Sequence, residues 1–157
     1  NNGITRFFFG YFGVVHGSMG ELMYFKEKEN IKTLRVTTFN GSPYNDIVEF
    51  GSIQNLGAYG AYLGDEVVTE IATIASIETL NVDGNNITTD GAAAIAGGLR
   101  NLSNLSISYN HIGYEGAEHL IQLPNLERLW LHDCGINWEE VVQMRRQKPE
   151  LEIIGVF

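Results

Sequence analysis

Three consecutive residues, His132, Asp133 and Cys134, are the part of this sequence that most suggests covalent chemistry. A thiolate is a strong nucleophile, and a histidine that is oriented by a carboxylate can remove the thiol proton. Such a group works only if the imidazole and the sulfur lie on the same side of the backbone. The elements that carry these residues therefore decide whether they can act together.

The histidines do not indicate a metal site. His16, His111, His119 and His132 are scattered along the chain and share no ligand spacing. A structural or catalytic zinc site requires three or four converging ligands. We therefore expect no metal in this protein, and we expect no other cofactor.

The centre of the chain contains two copies of one sequence motif, which is called the phrase below. In residues 77–87 and again in residues 102–112, apolar residues occupy phrase positions 1, 4, 6 and 11, and an asparagine occupies position 9. Leu80 and Val82 alternate with polar neighbours, which predicts a short strand with one apolar face. Asn85 and Asn110 follow the strands where the backbone must turn, and a buried asparagine there can hydrogen-bond the main chain. The spacing then changes to that of a helix, so the chain consists of strand–turn–helix repeats.

The phrase extends along most of the sequence. Seven strands are predicted to begin at Ile4, Ile31, Ile53, Ile77, Leu102, Leu126 and Leu151. This register makes Phe7 and Phe9 the core residues of the first strand, and Ile154 and Val156 those of the last. Repeats 77–157 are regular and repeats 1–76 are irregular, and we expect residues 1–157 to form a single domain.

Helices are predicted after several of the strands. Their expected ranges are 18–28, 65–75, a segment from Thr88 or Thr89 to Gly97-Gly98, a segment from residue 114 to about 123, and 137–147. Threonine is a favourable residue before a helix, and glycine is favourable after one. The repeat from Ile31 is the shortest and has little room for a helix beyond residues 45–50.

The repeat register separates Cys134 from His132. Cys134 occupies position 9, whose side chain points into the turn, whereas His132 occupies position 7, whose side chain points to the exposed face of the sheet. We therefore expect Cys134 to be a small buried residue in place of the asparagine. The sequence accordingly predicts a protein that is not an enzyme.

Composition and charge restrict the class of partner. The chain has 157 residues, of which 44% are hydrophobic, and a net charge of −9, which argues against binding to nucleic-acid phosphates. Its single cysteine excludes an internal disulfide framework. The longest apolar stretches are too short to span a bilayer, so we expect no membrane insertion. The sequence opens at Asn1 without a methionine, which is compatible with a processed form or with a piece of a longer chain.

Two segments carry a family resemblance. Asn-His-Ile-Gly-Tyr-Glu-Gly-Ala-Glu-His-Leu (residues 110–120) and Asn-Ile-Thr-Thr-Asp-Gly-Ala (residues 86–92) resemble the ribonuclease-inhibitor-like class of leucine-rich repeats. The repeat length of about 24 residues is most similar to the shorter Gly-Ala-Leu-Ala type of bacterial effector proteins. The resemblance is specific over residues 77–157 and loose over 1–76. It implies an α/β solenoid with a concave parallel sheet of about seven strands, with short helices and turns on the convex side.

The same resemblance implies a function in protein recognition. Proteins of this type act as protein-binding arcs, in the cytoplasm or, for an effector, after translocation into a host cell. Some carry an F-box, but residues 1–157 contain no such module, so a role in ubiquitin ligation is not implied.

The concave face is the expected binding surface. Side chains at phrase positions 3, 5 and 7 of successive strands form rows across such a sheet, with neighbours about 4.8 Å apart. Exposed aromatic residues and arginine contribute most to binding energy at interfaces. Nine side chains on or beside these rows are candidates for partner binding: Phe8, Arg35, Tyr59, Asn81, Asp83, Tyr109, Arg128, Trp130 and His132. The alternative is that the C-terminal aromatic residues only cover the end of the sheet.

Two functions remain open from the sequence. The first is a non-enzymatic module that binds a protein or peptide on its concave face. The second is a structural spacer or capping segment that serves flanking domains. Because neither terminal strand is followed by an obvious polar cap, we expect either further sequence beyond the ends or end-to-end self-association.

Overall fold

Seven short parallel strands form one continuous sheet in the computed structural model, which describes residues 14–17, 31–36 and 44–155. The strands follow one another in sequence order and each pairs with its neighbours. They are β1 (Val14–Gly17), β2 (Thr33–Val36), β3 (Asn55–Gly57), β4 (Thr79–Asn81), β5 (Asn104–Ser106), β6 (Arg128–Trp130) and β7 (Glu152–Ile154). The predicted fold class, an α/β leucine-rich-repeat solenoid with a parallel sheet, is confirmed.

Helices connect the strands from β3 onward. They are α1 (Gly64–Ile71), α2 (Thr89–Gly98), α3 (Gly113–Ile121) and α4 (Trp138–Gln147), and a 3₁₀ helix (Tyr44–Phe50) connects β2 to β3. Three of the four predicted helices in this region match closely, whereas α1 ends four residues before its predicted end. The segment 18–28, where another helix is predicted, lies outside the described residues.

Local signals explain where α2 and α4 begin. The Thr88 hydroxyl accepts a hydrogen bond from the Asp90 amide at the start of α2. The Asn137 side chain accepts from the Glu140 amide over 3.0 Å, and the Glu140 carboxylate accepts from the Asn137 amide over 2.8 Å. This reciprocal pair satisfies two backbone donors that a helix start otherwise leaves without partners.

The core lies between the sheet and the helices. Strand positions 4 and 6 supply one part of it, because alternate side chains of each strand point to the same side. The corresponding buried residues from β2 to β6 are Leu34, Val36, Leu56, Ala58, Leu80, Val82, Leu105, Ile107, Leu129 and Leu131. The helices contribute Val67, Val68, Ile71, Ala92, Ile95, Ala117, Leu120, Val141 and Met144. The periodicity of the sequence therefore predicts this core correctly.

The asparagines at position 9 connect adjacent turns of the solenoid. The Asn110 side-chain oxygen accepts from the amides of Asn85 and Ile87, each over 2.9 Å. Its amide nitrogen donates to the carbonyls of Val82, Ile107 and Ser108. Both groups of this fully buried side chain are thus satisfied by main chain, as the sequence predicts for position 9.

Asn85 repeats the arrangement one turn earlier. Its oxygen accepts from the Leu63 amide over 3.3 Å, and its nitrogen donates to the carbonyls of Ala58 and Asp83 over 2.6 and 3.0 Å. Cys134 occupies the same place one turn later. The three residues therefore form a ladder along the turns that follow β4, β5 and β6.

The prediction for the first strand is wrong in its register. The strand beside β2 is β1, in which Val15 pairs with Leu34, so Val15 rather than Phe7 is the neighbour of Leu34. The segment that begins at Ile4 lies outside the described residues. Nearly every residue from Phe7 to Val15 is apolar, and without alternation the pattern cannot distinguish one register from another.

The last strand is displaced by one residue from its prediction. Leu129 pairs with Ile153 and Trp130 pairs with Ile154, so Leu151 and Ile153 are buried and Ile154, predicted as a core residue, is only partly buried. Val156, the other predicted core residue, lies outside the described residues. A shift of one residue exchanges the two faces of a strand. Because isoleucines stand at both positions 153 and 154, the apolar pattern permits either register, and hydrogen bonding to β6 decides between them.

Candidate functional site

The middle row of the concave face includes one residue from each strand between β2 and β6. Backbone pairing aligns Arg35 of β2, Gly57 of β3, Asn81 of β4, Ser106 of β5 and Trp130 of β6. The row therefore has a large side chain at each end and small or polar residues between them. Phe8, which is predicted as a further member, lies outside the described residues, and His16 is the residue of β1 that pairs with Arg35.

Two depressions lie on the described part of this face. The larger one, of about 660 Å³, extends over β2 and β3, and the smaller one, of about 500 Å³, extends over β5 and β6. They meet at Thr79 and Asn81 of β4, which line both. Besides these two shared residues, the larger depression is lined by Thr33, Leu34, Arg35, Val36, Asn55, Leu56, Gly57 and Tyr59. The other residues that line the smaller depression are Leu80, Asn104, Ser106, Arg128 and Trp130. Five of the predicted candidates thus line one continuous surface: Arg35, Tyr59, Asn81, Arg128 and Trp130.

Arg128 is held over the C-terminal depression by a neighbouring strand. Its Nε donates to the Asn104 side-chain oxygen over 2.7 Å. This bond directs the exposed guanidinium toward β5 and leaves its other N–H groups available to a partner. The adjacent Trp130 ring is only partly buried. A cation and an aromatic surface therefore lie side by side at this end of the face.

Tyr109 and His132 form a stacked pair beside the C-terminal depression. Their ring centroids are 6.4 Å apart with an interplanar angle of 13°. The His132 ring also lies against Gly155, where an added Cβ would be 2.1 Å from the imidazole, so a side chain at position 155 would displace the ring from its present position. Tyr109 is 55% exposed and can offer its outer face to a partner. Two of the nine candidate residues predicted from the sequence thus lie next to each other.

Asp83 has a different environment from the other candidates. Its carboxylate accepts from the Ser106 hydroxyl over 2.7 Å and from the Ser108 amide over 2.7 Å. It also accepts from the Asn81 side-chain nitrogen over 3.2 Å. Because both carboxylate oxygens are engaged within the protein, Asp83 primarily fixes the loop after β4 and the side chain of Asn81.

Tyr62 is an exposed aromatic residue that the sequence reasoning missed. It is 82% exposed, and Tyr59 in the same loop is 69% exposed. Tyr62 has a positive φ of 57°, an uncommon conformation for a bulky residue. It follows Ala61 at phrase position 9, and the equivalent Asn86 also has a positive φ. Comparing position 10 across the repeats is the sequence signal that would have drawn attention to it.

Cys134 points away from the concave face. Its thiol donates to the Ile107 carbonyl over 3.3 Å within the turn, whereas the His132 ring lies against Gly155 and Tyr109. Burial raises the pKa of the Cys134 thiol to about 11, and the nearby carboxylates of Asp83 and Asp133 act in the same direction. The residue therefore lacks the lowered pKa and the access of a reactive thiol.

We expect Cys134 to react slowly with a thiol reagent in the folded protein. At pH 8 the buried side chain is almost entirely the neutral thiol, since its pKa lies well above that pH. Unfolding returns the pKa to its ordinary range, so the rate of modification should rise by at least about a hundredfold in denaturant. Stopped-flow absorbance with an aromatic disulfide measures both rates. Equal rates with and without denaturant would show that Cys134 is accessible.

The described part of the chain contains neither a metal cluster nor a membrane-spanning helix. No group of three or more His, Cys, Asp or Glu side chains is placed to hold a metal ion among these residues. No helix in the same ranges is both long and apolar enough to cross a bilayer.

Comparison with known families identifies the central repeats. Residues 75–136 match the family model described as Leucine rich repeat. No curated protein matches the sequence. The parallel sheet agrees with this match over the central repeats, and leucine-rich repeats generally mediate protein–protein interactions.

Proposed function

We propose that the protein is a non-enzymatic module that binds a protein or peptide on its concave face. The observation that carries the proposal is the continuous surface formed by the two depressions, with Arg35 and Tyr59 at one end and Arg128 and Trp130 at the other. Arginine and aromatic residues are enriched at interface hot spots because they combine a large contact area with polar groups. Asn, Ser and Thr between them offer hydrogen bonds to a partner's backbone.

The rigidity of this surface also supports binding. Each strand is hydrogen-bonded on both sides from β2 to β6, and the asparagine ladder fixes the turns beside it. A preorganised surface loses little conformational entropy when a partner binds. The repeat pattern remains most similar to the Gly-Ala-Leu-Ala type within the ribonuclease-inhibitor-like class. A bacterial effector, acting in the cytoplasm or after translocation into a host cell, is therefore the biological context that we favour.

Trp130→Ala should weaken partner binding by about 2 kcal/mol, because removing an aromatic anchor from an interface leaves an unfilled depression. This corresponds to a dissociation constant about thirtyfold higher. Binders would first be selected from a displayed library of protein fragments and peptides, and their affinities would then be measured by calorimetry for each variant.

Trp138→Ala is the matched control. Trp138 begins α4 on the opposite side of the solenoid, is 56% exposed, and packs against the Arg145 guanidinium at 5.5 Å. The control should retain full affinity for binders that use the concave face. The proposal is wrong if the selected binders lose affinity with Trp138→Ala but not with Trp130→Ala.

A further inference from the structure

The two depressions share one chemical composition. Among the described residues, each is lined by a single charged residue, which is Arg35 in the N-terminal depression and Arg128 in the C-terminal one. Each also contains one aromatic side chain, Tyr59 or Trp130, and asparagine or threonine side chains that can donate and accept hydrogen bonds. The concave face thus presents the same set of groups twice, on either side of β4.

The positive charge of these two arginines is opposite in sign to the net charge of the protein. The chain carries a net charge of −9, yet the two charged residues that line the depressions in the described part of the chain are cations. Arginine binds carboxylates through two parallel hydrogen bonds, and an aromatic neighbour excludes water from such a pair. The lining therefore complements an acidic group that is followed or preceded by an apolar one.

Carboxylates close to the face restrict how such a group can approach. Asp83 lies beside the middle row, but its oxygens already accept hydrogen bonds from Ser106, Ser108 and Asn81. Glu78 and Glu127 are exposed just before β4 and β6, and Glu152 pairs with Arg128 across β6 and β7. Glu78 and Glu127 repel an acidic partner at the edge where the strands begin, and Glu152 repels it beside β7. The route that remains crosses the strands along the depressions from β2 to β6.

We propose that this face binds an acidic segment in extended conformation, with one carboxylate on Arg35 and another on Arg128. The inference rests on the proposed protein-binding function and specifies the partner's chemistry. Four strand intervals separate β2 from β6, which amounts to about 19 Å. An extended chain advances by about 3.3 Å per residue, so the two acidic residues are about six positions apart. The residues between them lie over Thr79 and Asn81, which offer hydrogen bonds to the segment's main chain.

Synthetic peptides test this spacing directly. The probes are soluble peptides with two glutamates at increasing separation, each flanked by an apolar residue, in an otherwise neutral background. Matched sets carry glutamine or lysine in place of the glutamates. Fluorescence anisotropy should show the tightest binding at a separation of about six residues, weaker binding at higher salt, and at least about tenfold weaker binding of the glutamine and lysine sets.

Variants of the protein identify the cations that read the two carboxylates. Arg35→Gln and Arg128→Gln should each raise the dissociation constant of the preferred glutamate peptide by about tenfold. Arg100→Gln removes the same charge from an exposed residue outside both depressions and should change the affinity less than about twofold, since it removes only a distant, screened charge. The inference is overturned if Arg100→Gln has the same effect as the other two substitutions, because binding would then reflect overall charge alone.

The remaining outcomes separate this inference from the proposed function. If lysine or neutral peptides bind as well as glutamate peptides and Trp130→Ala weakens them, the face binds peptides but not acidic ones. If no peptide binds, the acidic segment is excluded, and the fragment-library selection with Trp130→Ala still tests concave-face binding. If no peptide binds and Trp130→Ala also has no effect on the binders selected from the fragment library, both the inference and the proposed function are wrong.

Discussion

Replacing Asn110 by alanine is expected to lower the free energy of unfolding by about 3 kcal/mol or more, because it leaves several buried backbone groups without partners. The side chain accepts from two amides and donates to three carbonyls, and all of these atoms lie inside the solenoid. In the native fold these groups are shielded from water. Urea unfolding followed by circular dichroism measures the loss as a lower midpoint at an unchanged slope.

Asn125→Ala is the appropriate control for that measurement. Asn125 is exposed, and its side-chain nitrogen donates a single hydrogen bond to the Arg100 carbonyl over 2.8 Å. An exposed bond of this kind is readily replaced by water, so its removal should cost less than about 1 kcal/mol. Equal midpoints for the two variants would contradict the assignment of Asn110 to a buried ladder.

The ladder is also the part of the fold that the sequence predicts best. The asparagine at position 9 appears at residues 85 and 110 with the same apolar residues around it, and both side chains are buried and bonded to main chain. The prediction succeeds because both repeats set the same requirement at the same phrase position. A turn in a solenoid exposes backbone groups to the interior, and few side chains can satisfy them from that position.

The ends of the sheet illustrate why other features could not be predicted. Both Val15 beside Leu34 and Ile153 beside Leu129 depend on hydrogen bonding to a neighbouring strand. Where a segment is apolar on both faces, several registers bury similar amounts of apolar surface. The pairing partner, which is remote in sequence, then decides the register.

The candidate site was predictable only as a set of positions. The spacing of the phrase correctly aligns Arg35, Gly57, Asn81, Ser106 and Trp130 in one row. The spacing could not indicate that the Asp83 carboxylate would accept hydrogen bonds from the Ser106 hydroxyl and the Ser108 amide, because those bonds depend on side-chain rotamers. Nor could it indicate the division of the face into two depressions, which depends on how far each side chain extends from the sheet.

Helix packing on the convex side imposes a separate requirement for a small residue. Gly98 is the last residue of α2 and lies against Ala72, the residue that follows α1. An added Cβ at Gly98 would lie 2.0 Å from the Ala72 carbonyl oxygen and 2.8 Å from the carbonyl carbon. Because these are backbone atoms, no rotamer change can relieve the overlap. Successive helices can therefore approach this closely only if residue 98 has no side chain.

We accordingly expect Gly98→Ala to destabilise the fold by about 2–3 kcal/mol, since overpacking forces the two helices apart. The neighbouring Gly97 provides an unusually close control. It lies in the same helix and is exposed, and an added Cβ there would meet no atom within 4 Å. Gly97→Ala should therefore raise stability by about 0.5–1 kcal/mol, because alanine loses less backbone entropy than glycine when a helix forms. Differential scanning calorimetry of both variants should thus give shifts of opposite sign. A rise in stability for both variants would mean that the contact between α1 and α2 does not exclude a side chain at position 98.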